Sequence, residues 1–458
     1  MSGKHIKQQG KNIFGGESFS ENADAEVDSR AAAARRLWIV TELYYPEETS
    51  TGYYLTKIAE GLANDFQTKV LCGQPNYSAR GTLAAKREIH RGVEIFRSFS
   101  ARLDKNVIAF RIVNMLSLSV GVFFKALLKF RKSDAVLVVT TPPLLPFATA
   151  FAAAARRADY TLLIHDNYPE ILIAAGKTAP DSLLVRFLDF CNRRLYKNAR
   201  KIIVVGRDMG EAVEKKIGTR KSSSAESNGE NKARITGNEK SKIAFIPNWA
   251  ELEQVAPRPR RENSLLEQLN LIDKFVFLYA GNMGYPNDLE SIAWCAERLK
   301  EDERFHFIFL GAGVKRKWLE REAAEKHLKN ITILAPRPRA EQIIFLNACD
   351  VALVSLIKKM RGVSMPSRTY NILAAGKPIL AMTESGSELA RVIDEEAVGW
   401  CVPPAEPRQL LQKIEDIFEK RGELSAMSRR ARAAALDKYS MLLAIKRYKT
   451  NLTDKCVR

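Results

Sequence analysis

Cysteine is scarce in this chain of 458 residues: there are six, and no two of them are spaced as Cys-x-x-Cys. This scatter argues against a structural zinc site and favours reduced thiols in a cytoplasmic protein. Signatures of nucleic-acid-binding proteins are also missing, because there is no RNA-recognition motif, zinc-finger spacing or helix-turn-helix pattern. Acidic residues are outnumbered, with 72 Lys and Arg against 53 Asp and Glu and a net charge of +19. The excess suits acidic lipid head groups or a phosphorylated substrate, and the missing motifs argue against nucleic acid.

Long uninterrupted apolar runs are almost absent. The first 34 residues are polar and lack the apolar core of a signal peptide, so we predict a disordered tail over 1–34. One charge-free window of membrane-spanning length runs over 135–155, but Pro142, Pro143 and Pro146 interrupt it. We therefore predict a buried strand, a loop and an alanine-rich helix in this window.

A second apolar stretch, 107–130, is interrupted by Arg111, Asn114, Lys125 and Lys129. Cations on an apolar helix suit a helix that lies in a membrane interface, where long side chains reach the head groups. A core helix with snorkelling lysines explains the same residues. The sequence leaves both interpretations open.

Strands and helices alternate along the chain, which is the pattern of an α/β protein with parallel sheets. A strand at 37–40, a helix and a strand at 69–72 form the first βαβ unit. We predict a first Rossmann-like domain over 35–256, with a flexible Ser-, Asn- and Lys-rich insertion at 219–242. A second Rossmann-like domain is predicted over 257–435. Ligands of such domains bind beyond the carboxyl ends of the strands, so the cleft between the two is the predicted site.

The most informative segment is 362–378, with the sequence GVSMPSRTYNILAAGKP. Ser367 occupies a helix N-cap position, Arg368 opens the helix, and Gly376 and Pro378 end it. A short helix with an N-terminal arginine suits a phosphate, because its first N–H groups and its dipole face the anion. An ordinary capped helix that leads into a strand explains the same letters.

This segment resembles the donor-binding helix of retaining glycosyltransferases of family 4, which have the GT-B fold. The nearest likeness is to the surface-polysaccharide subgroup with the N-acetylfucosamine and colanic-acid transferases, and it extends over 37–450. The resemblance implies an α/β GT-B fold with two Rossmann-like domains and a cleft between them. Domain 35–256 would be the acceptor side and 257–435 the donor side, and a C-terminal helix within 436–458 would cross back onto the first domain.

The glycine loop GNMG at 281–284 lets backbone approach a ligand closely, and in the resembled family it cradles the donor diphosphate. The family often has an Arg where this chain has Asn282, so Arg368 is expected to supply the positive charge, with Arg337 or Lys315 assisting. A Gly-x-Gly turn at 311–313 resembles the turn near the nucleotide base. The donor-binding residues predicted in this way are Gly281, Asn282, Met283, Gly284, Gly311, Arg337, Ser367, Arg368 and Asn371.

One family feature is missing from this chain. Many members carry a Glu-x7-Glu pair whose second Glu binds the donor ribose and whose first binds sugar hydroxyls. Here these positions are Asn371 and Val363. Asn371 can still hydrogen-bond a ribose hydroxyl, and backbone groups of 361–364 or the Ser364 hydroxyl would have to serve the sugar.

The acceptor side is expected at the segment IHDNYPE, 164–170, which resembles the subgroup's Gln/His-Asp-x-Trp/Tyr-Pro-Glu. Asp166 is the candidate acceptor ligand or base, with His165 and Glu170 as second choices, and a helix N-cap is the alternative role for Asp166. In the family's front-face attack the leaving diphosphate helps to take the acceptor proton, so Arg368 counts as catalytic through electrostatic stabilisation. The first loop is predicted to line the acceptor side through Glu47, Glu48 and Gly52.

The predicted function is anomer-retaining, metal-independent transfer of a hexose from a nucleotide-sugar, with a UDP-sugar expected, to a lipid-linked or growing surface polysaccharide. The expected place is the cytoplasmic face of the cell membrane, with peripheral contact to anionic lipid. No cofactor, metal or nucleic acid is expected beyond the nucleotide-sugar co-substrate. The alternatives are a non-catalytic GT-B scaffold, which the missing carboxylate pair makes credible, and a GT-B sugar-nucleotide epimerase, for which five histidines are few.

Overall fold

The computed structural model describes residues 35–76, 83–103, 107–218 and 241–453. The predicted tail at 1–34 and almost all of the predicted insertion at 219–242 lie outside these described residues. The chain forms two sheets of mainly parallel strands, one in each half, and helices connect the strands. The predicted fold of two Rossmann-like α/β domains is therefore confirmed.

The first sheet contains eight strands: β1 (Arg36–Val40), β2 (Gln67–Cys72), β3 (Arg87–His90), β4 (Val93–Arg97), β5 (Ala135–Val139), β6 (Asp159–Ile164), β7 (Lys201–Val204) and β8 (Ile243–Phe245). Their order is β3-β4-β2-β1-β5-β6-β7-β8, and all pairs are parallel except β3 with β4. The chain moves outward from β1 in one direction and returns to continue from β5 in the other. A crevice for ligands opens at the carboxyl ends of β1 and β5, where the direction changes.

The second sheet contains six parallel strands: β9 (Phe275–Ala280), β10 (Phe305–Leu310), β11 (Ile331–Leu334), β12 (Val351–Ser355), β13 (Ile379–Met382) and β14 (Gly399–Val402). Their order is β11-β10-β9-β12-β13-β14, so the change of direction lies between β9 and β12. The glycine loop follows β9 and the segment with Arg368 follows β12. The topology therefore brings these two predicted donor elements to one place.

The α-helices that cover or flank the sheets are α1 (Ser50–Leu62), α2 (Ile108–Lys129), α3 (Leu145–Arg156), α4 (Glu170–Ala174), α5 (Leu183–Asn198), α6 (Arg207–Ile217), α7 (Ser264–Gln268), α8 (Leu289–Arg298), α9 (Arg316–Glu325), α10 (Gln342–Leu346), α11 (Arg368–Ala374), α12 (Glu388–Glu396), α13 (Pro407–Glu419), α14 (Leu424–Asp437) and α15 (Met441–Thr453). Central strands such as β5 and β13 are apolar on both faces, and every one of their residues is buried. The charge-free window at 135–155 is strand, loop and helix, as predicted.

The last helix lies against the first domain. Helix α15 packs on α1, and a Cβ at Gly61 would lie 2.9 Å from Ile445 Cδ1. Tyr448 is buried, and Lys449 forms an ion pair with Asp65. The chain therefore crosses back from the second half to the first.

Helix α2 is the apolar stretch for which the sequence left two interpretations. Within the described residues, 109–129 is the one helical stretch long and apolar enough to cross a membrane, judged by length and composition, and 28% of its most apolar window is buried. The Lys125 ammonium donates to the Arg97 carbonyl, and Lys129 Nζ lies 5.0 Å from the centre of the Phe96 ring. These two lysines turn toward the sheet, whereas large apolar side chains of the same helix are exposed.

Candidate active site

Two glycine turns are layered on each other at the carboxyl ends of β9 and β10. Gly311 has φ +150°, and a Cβ there would lie 2.0 Å from the Gly281 carbonyl oxygen. Gly313 has φ +152°, and its Cβ would lie 2.4 Å from the Met283 carbonyl oxygen. Both the backbone angle and the close approach require glycine, so the Gly-x-Gly turn supports the loop beneath the predicted diphosphate site.

Alternate N–H groups of the glycine loop differ in whether they are hydrogen-bonded within the protein. The N–H groups of Gly281 and Met283 donate to Leu310 and Ala312 of the neighbouring turn. Among the described residues, the N–H groups of Asn282 and Gly284 have no hydrogen-bond partner. Met283 is fully buried, so its backbone and not its side chain belongs to the site.

Arg368 lies directly against this loop. A Cβ at Gly281 would lie 2.4 Å from Arg368 Cζ, which itself lies 4.9 Å from the centre of the Tyr279 ring. Arg368 Nη1 is buried and has no hydrogen-bond partner in the described part of the chain. A buried guanidinium N–H without an acceptor is costly, so this group has unused capacity for an anion. Tyr279, which supports the guanidinium, was not predicted from the sequence.

The structure gives two other residues of this helix roles that differ from the predictions. Ser367 lies at the predicted N-cap position, but it has helical angles and its side chain makes no capping hydrogen bond; its hydroxyl lies 2.7 Å from the Ser50 hydroxyl. The Asn371 amide nitrogen donates to Glu251 at 2.7 Å and to Gln342 at 2.6 Å. Its oxygen accepts from the Glu251 N–H at 2.8 Å. Both N–H donors of the amide are therefore already used within the protein and do not serve a ribose hydroxyl.

Glu251 is the centre of a buried cluster that the sequence did not indicate. Its carboxylate accepts from Arg339 and Asn371, and Arg339 Cζ lies 3.6 Å from the centre of the Tyr53 ring. The cluster joins α1 of the first domain to α11 of the second. Arg337, which was predicted to assist the donor, instead pairs with Glu341 at 2.9 Å.

The predicted acceptor loop contains one buried and one exposed carboxylate. Glu47 is 3% exposed and accepts from the Asn76 N–H, so it holds the loop together. A Cβ at Gly52 would lie 2.7 Å from the Glu47 carbonyl oxygen, which explains the glycine at this position. Glu48 is exposed. The prediction that these residues bind acceptor hydroxyls stays a prediction.

His165 and Asp166 follow β6 and are half-buried at the cleft. Burial lowers the pKa of His165 to about 4, so the imidazole is neutral at pH 7. Burial raises the pKa of Asp166 to about 6, so this carboxylate can take a proton close to neutral pH. His165 Nε2 is buried and has no hydrogen-bond partner among the described residues. This pair fits the predicted acceptor-side chemistry.

The two sides of the cleft are in direct contact at Asp166, which forms an antiparallel bridge with Ser364. The backbone polar groups of Gly362 and Val363 are all hydrogen-bonded within the protein. The backbone groups of these two residues therefore already have partners within the protein, and the half-buried Ser364 remains the candidate in this segment for the predicted contact with the sugar. No group of three His, Cys, Asp or Glu in the described part of the chain is arranged to hold a metal ion.

Comparisons with known proteins agree with this geometry. The chain matches the family models of the glycosyl transferase 4-like domain over 50–222 and of glycosyl transferases group 1 over 263–434. It is 30% identical over 423 residues to the probable glycosyltransferase WbjE of Pseudomonas aeruginosa, which covers 90% of this chain and 96% of that protein. Over 187 residues it is 29% identical to the putative colanic acid biosynthesis glycosyl transferase WcaI of Escherichia coli K12, covering 40% of this chain and 46% of that one. The structure of Anabaena HepE in complex with UDP-glucose matches with a TM-score of 0.64 at 14% identity, covering 91% of this chain and 99% of that one. The chain therefore belongs to the glycosyltransferases of the GT-B fold.

Proposed function

We propose that the protein transfers a hexose, with retention of the anomeric configuration and without a metal, from a UDP-sugar to a lipid-linked or growing surface polysaccharide. The acceptor class follows the resemblance to the surface-polysaccharide subgroup, and a relative is named for colanic acid biosynthesis. The donor class is supported by a GT-B neighbour whose structure contains UDP-glucose. The enzyme would act on the cytoplasmic face of the cell membrane.

The observation that carries this proposal is the guanidinium of Arg368 against Gly281, with Nη1 unpaired. The donor diphosphate would accept from Arg368 and from the N–H groups of Asn282 and Gly284. As the bond from the anomeric carbon to the phosphate oxygen breaks, negative charge grows on the diphosphate, and these donors stabilise it. The acceptor oxygen forms the new bond on the same face of the sugar, and its proton passes to the leaving diphosphate or to Asp166.

The test is calorimetric titration of the full chain with UDP, GDP and ADP. We expect one nucleotide, UDP, to bind with a Kd on the order of micromolar, and Arg368→Ala to weaken it roughly a hundredfold through loss of a charge-assisted contact. Arg321→Ala is the matched control, because Arg321 lies on α9 with 65% of its side chain exposed. Equal binding by the Arg368→Ala variant would refute the assignment of the diphosphate site.

A scaffold without catalysis and a sugar-nucleotide epimerase are the alternatives, and product analysis separates them. The scaffold reading is motivated by the missing Glu-x7-Glu pair. A scaffold would leave UDP-glucose intact in the presence of membranes that contain acceptor. An epimerase would return a changed nucleotide-sugar, whereas a transferase releases UDP and labels the lipid fraction.

The membrane partner is supported by three helices of the first domain. The connections through α2, α3 and α5 all advance in one direction across the sheet, so right-handed crossovers place the three helices on the same side. In α5 the exposed apolar residues recur at spacings of three and four, which is one face of a helix. We name the exposed large apolar side chains of these helices the apolar face: Phe110, Ile112, Val113, Leu116, Val120, Phe124, Leu128, Phe151, Leu183, Leu184, Phe187 and Phe190.

Cations lie at one end of the apolar face. The pairs Arg131 and Lys132, Arg156 and Arg157, and Arg193 and Arg194 are exposed at or near the carboxyl ends of α2, α3 and α5. An apolar surface bordered by cations suits the interface of a bilayer with acidic lipids. The proposed membrane contact thus uses cations other than Lys125, which donates to the Arg97 carbonyl, and Lys129, whose ammonium lies over the Phe96 ring.

A further inference from the structure

The peptide at Gly362 is held from both sides by side chains of the other domain. Its N–H donates to Asp208 Oδ2 at 2.8 Å, and its carbonyl oxygen accepts from Asn167 Nδ2 at 2.5 Å. The next carbonyl, that of Val363, accepts from the Asn167 N–H at 2.9 Å. Gly362 follows β12 in the second domain, whereas Asn167 follows β6 and Asp208 lies in the first turn of α6 in the first domain.

The local structure is built for this contact. Asn167 is 1% exposed and Asp208 is 4% exposed, so these hydrogen bonds form away from competing water. Gly362 has φ +71°, and a Cβ there would lie 3.1 Å from the Asp208 carbonyl oxygen. A side chain at this position would be both strained and crowded, so the close approach of the two domains depends on glycine.

The same contact determines where Asp166 lies. Asp166 and Ser364 are partners in an antiparallel bridge, and bridge partners carry their side chains on one face, close together. Asp166 and Ser364 come from different domains, so only the approach of the domains brings them together. The peptide at Gly362 lies two residues before Ser364, and Asn167 directly follows Asp166.

We propose that Asn167 and Asp208 are positioning residues, which clamp the Gly362 peptide and thereby fix Asp166 of the acceptor side beside Ser364 of the donor side in the closed cleft. Neither residue needs to touch substrate for this role. The proposal concerns a glycosyltransferase cleft and does not depend on which nucleotide-sugar the enzyme uses.

Other contacts between the domains remain when the clamp is weakened. Arg207 pairs with Glu388 at 2.9 Å and with Glu395 at 2.9 Å, and Arg391 pairs with Glu211 at 2.7 Å. The variants Asp208→Asn and Asn167→Asp keep the shape of the side chains and replace one hydrogen-bonding group each. We therefore expect both variants to fold with the domains associated.

The experiment is hydrogen–deuterium exchange of the full chain, read in peptides that cover 360–366 and 164–169. In Asp208→Asn, exchange in 360–366 should become roughly tenfold faster, because the Gly362 N–H loses its charged acceptor. In Asn167→Asp it should also become faster, because a carboxylate then faces the Gly362 carbonyl oxygen and repels the segment. Exchange in 164–169 should also become faster in Asp208→Asn, although Asp208 does not contact that segment through the altered group. Lys449→Gln is the matched control, since it removes the ion pair with Asp65 between α15 and the first domain, away from both segments, and should leave their exchange unchanged. Unchanged exchange at 360–366 in both clamp variants would overturn the proposal.

A kinetic measurement separates positioning from a general loss of structure. With UDP-glucose as probe, the clamp variants should lose about tenfold in kcat while KM stays within about twofold, because donor binding lies on the second domain. A rise in KM with unchanged kcat would contradict the proposed role. If the unaltered enzyme does not turn over UDP-glucose, the proposed donor is wrong. The role of Asn167 and Asp208 is then still tested by hydrogen exchange in 360–366 and 164–169.

Discussion

The two halves of the molecule share the order of six parallel strands, β4-β2-β1-β5-β6-β7 in the first and β11-β10-β9-β12-β13-β14 in the second, but present different outer surfaces. In the first half, the outer helices α2, α3 and α5 expose large apolar side chains along their length. In the second half, α8, α9 and α13 carry charged residues outward, and none of their large apolar side chains is among the exposed ones in the described part of the chain. The second half shows that this fold does not require large apolar side chains on the outer surfaces of its helices. The fold therefore does not require the apolar face of the first half, and this contrast supports the proposed membrane contact.

The inner sides of the cleft differ as well. The donor side is built from glycine turns in close backbone contact, which leave amides and one guanidinium available. The acceptor side is built from carboxylates and an imidazole whose protonation depends on burial. We therefore expect the structure of the donor side to be sensitive to added side-chain volume, and the protonation of the acceptor side to be sensitive to pH.

The largest expected effect is on the donor side, at Gly311. Gly311→Ala would place a Cβ 2.0 Å from the Gly281 carbonyl oxygen at φ +150°, so backbone must move. We expect a loss of about 3 kcal/mol or more in the free energy of unfolding, from combined clash and backbone strain. Urea denaturation followed by tryptophan fluorescence would measure it.

Two other glycines are controls for this substitution. Gly176 has φ +68° with nothing within 4 Å of an added Cβ, so Gly176→Ala isolates the backbone strain. Gly422 also has open space around it and no strained angle, so Gly422→Ala should be nearly neutral. If Gly311→Ala costs no more than Gly176→Ala, the tight layering of the two glycine turns is not important for stability.

The second prediction concerns the apolar face. The double variant Phe124→Ser and Phe187→Ser should lower the partition coefficient onto liposomes with acidic lipid about a hundredfold, since two exposed phenyl groups that would enter the bilayer are lost. Flotation in a density gradient would measure the bound fraction. Leu442→Ser is the control, because Leu442 is 81% exposed on α15, outside the apolar face. Undiminished flotation of the double variant would remove the membrane explanation for the difference between the halves.

The charges of this surface can be tested separately. Replacing Arg193 and Arg194 with Glu should weaken flotation more at low salt than at high salt, because screening reduces the attraction of exposed cations to the bilayer. Replacing Arg111, Lys125 and Lys129 with Glu is a less specific test, since Lys125 is bonded to the Arg97 carbonyl and its loss disturbs the fold.

The third prediction concerns pH on the acceptor side. The pKa of Asp166 is raised to about 6, so its carboxylate becomes protonated as the pH falls through 6. If Asp166 takes the acceptor proton, the transfer rate should fall about tenfold between pH 7 and pH 5, in proportion to the ionised fraction. In Asp166→Asn this acidic decline should disappear from the pH profile. A decline that persists in Asp166→Asn would assign it to another group.

The same raised pKa makes a prediction for stability with a definite sign. A carboxyl group whose pKa is higher in the folded state stabilises the fold at low pH, and this contribution is lost as the pH rises through about 6. Asp166→Asn should therefore raise the melting temperature relative to the unaltered protein at pH 7.5 more than at pH 4.5. Calorimetric scans at the two pH values would measure the difference.

The sequence predicted those parts of the molecule that depend on local pattern and strand order. Strands such as β5 and β13 are continuous apolar runs, and the convergence of Arg368 with the glycine loop follows from the neighbouring positions of β9 and β12. The edge strand β3 gives no such signal, because its residues are largely exposed and have no apolar run.

Contacts between the two domains were not predictable from the sequence. Asn167 and Gly362 are 195 positions apart, and Glu251 and Asn371 are 120 positions apart. No periodicity or motif indicates such pairs, because they depend on how the two domains approach each other. The role of Asn371 was missed for the same reason: its amide fits a ribose hydroxyl by chemistry, but Glu251 and Gln342 engage it.

The smallest expected effect tests the one place where a local rule failed, at Ser367. An N-cap hydroxyl is worth about 1 kcal/mol, whereas an exposed hydrogen bond between two hydroxyls is worth about 0.5 kcal/mol or less. Because Ser367 bonds Ser50 and caps nothing, Ser367→Ala should lower stability only by the smaller amount. A double-mutant cycle with Ser50→Ala would show a coupling energy close to the whole effect of either single change, since each substitution removes the same bond. A loss near 1 kcal/mol in Ser367→Ala with no coupling to Ser50 would instead show that Ser367 caps the helix. The contact between the two halves at this point would then contribute nothing to the free energy of unfolding.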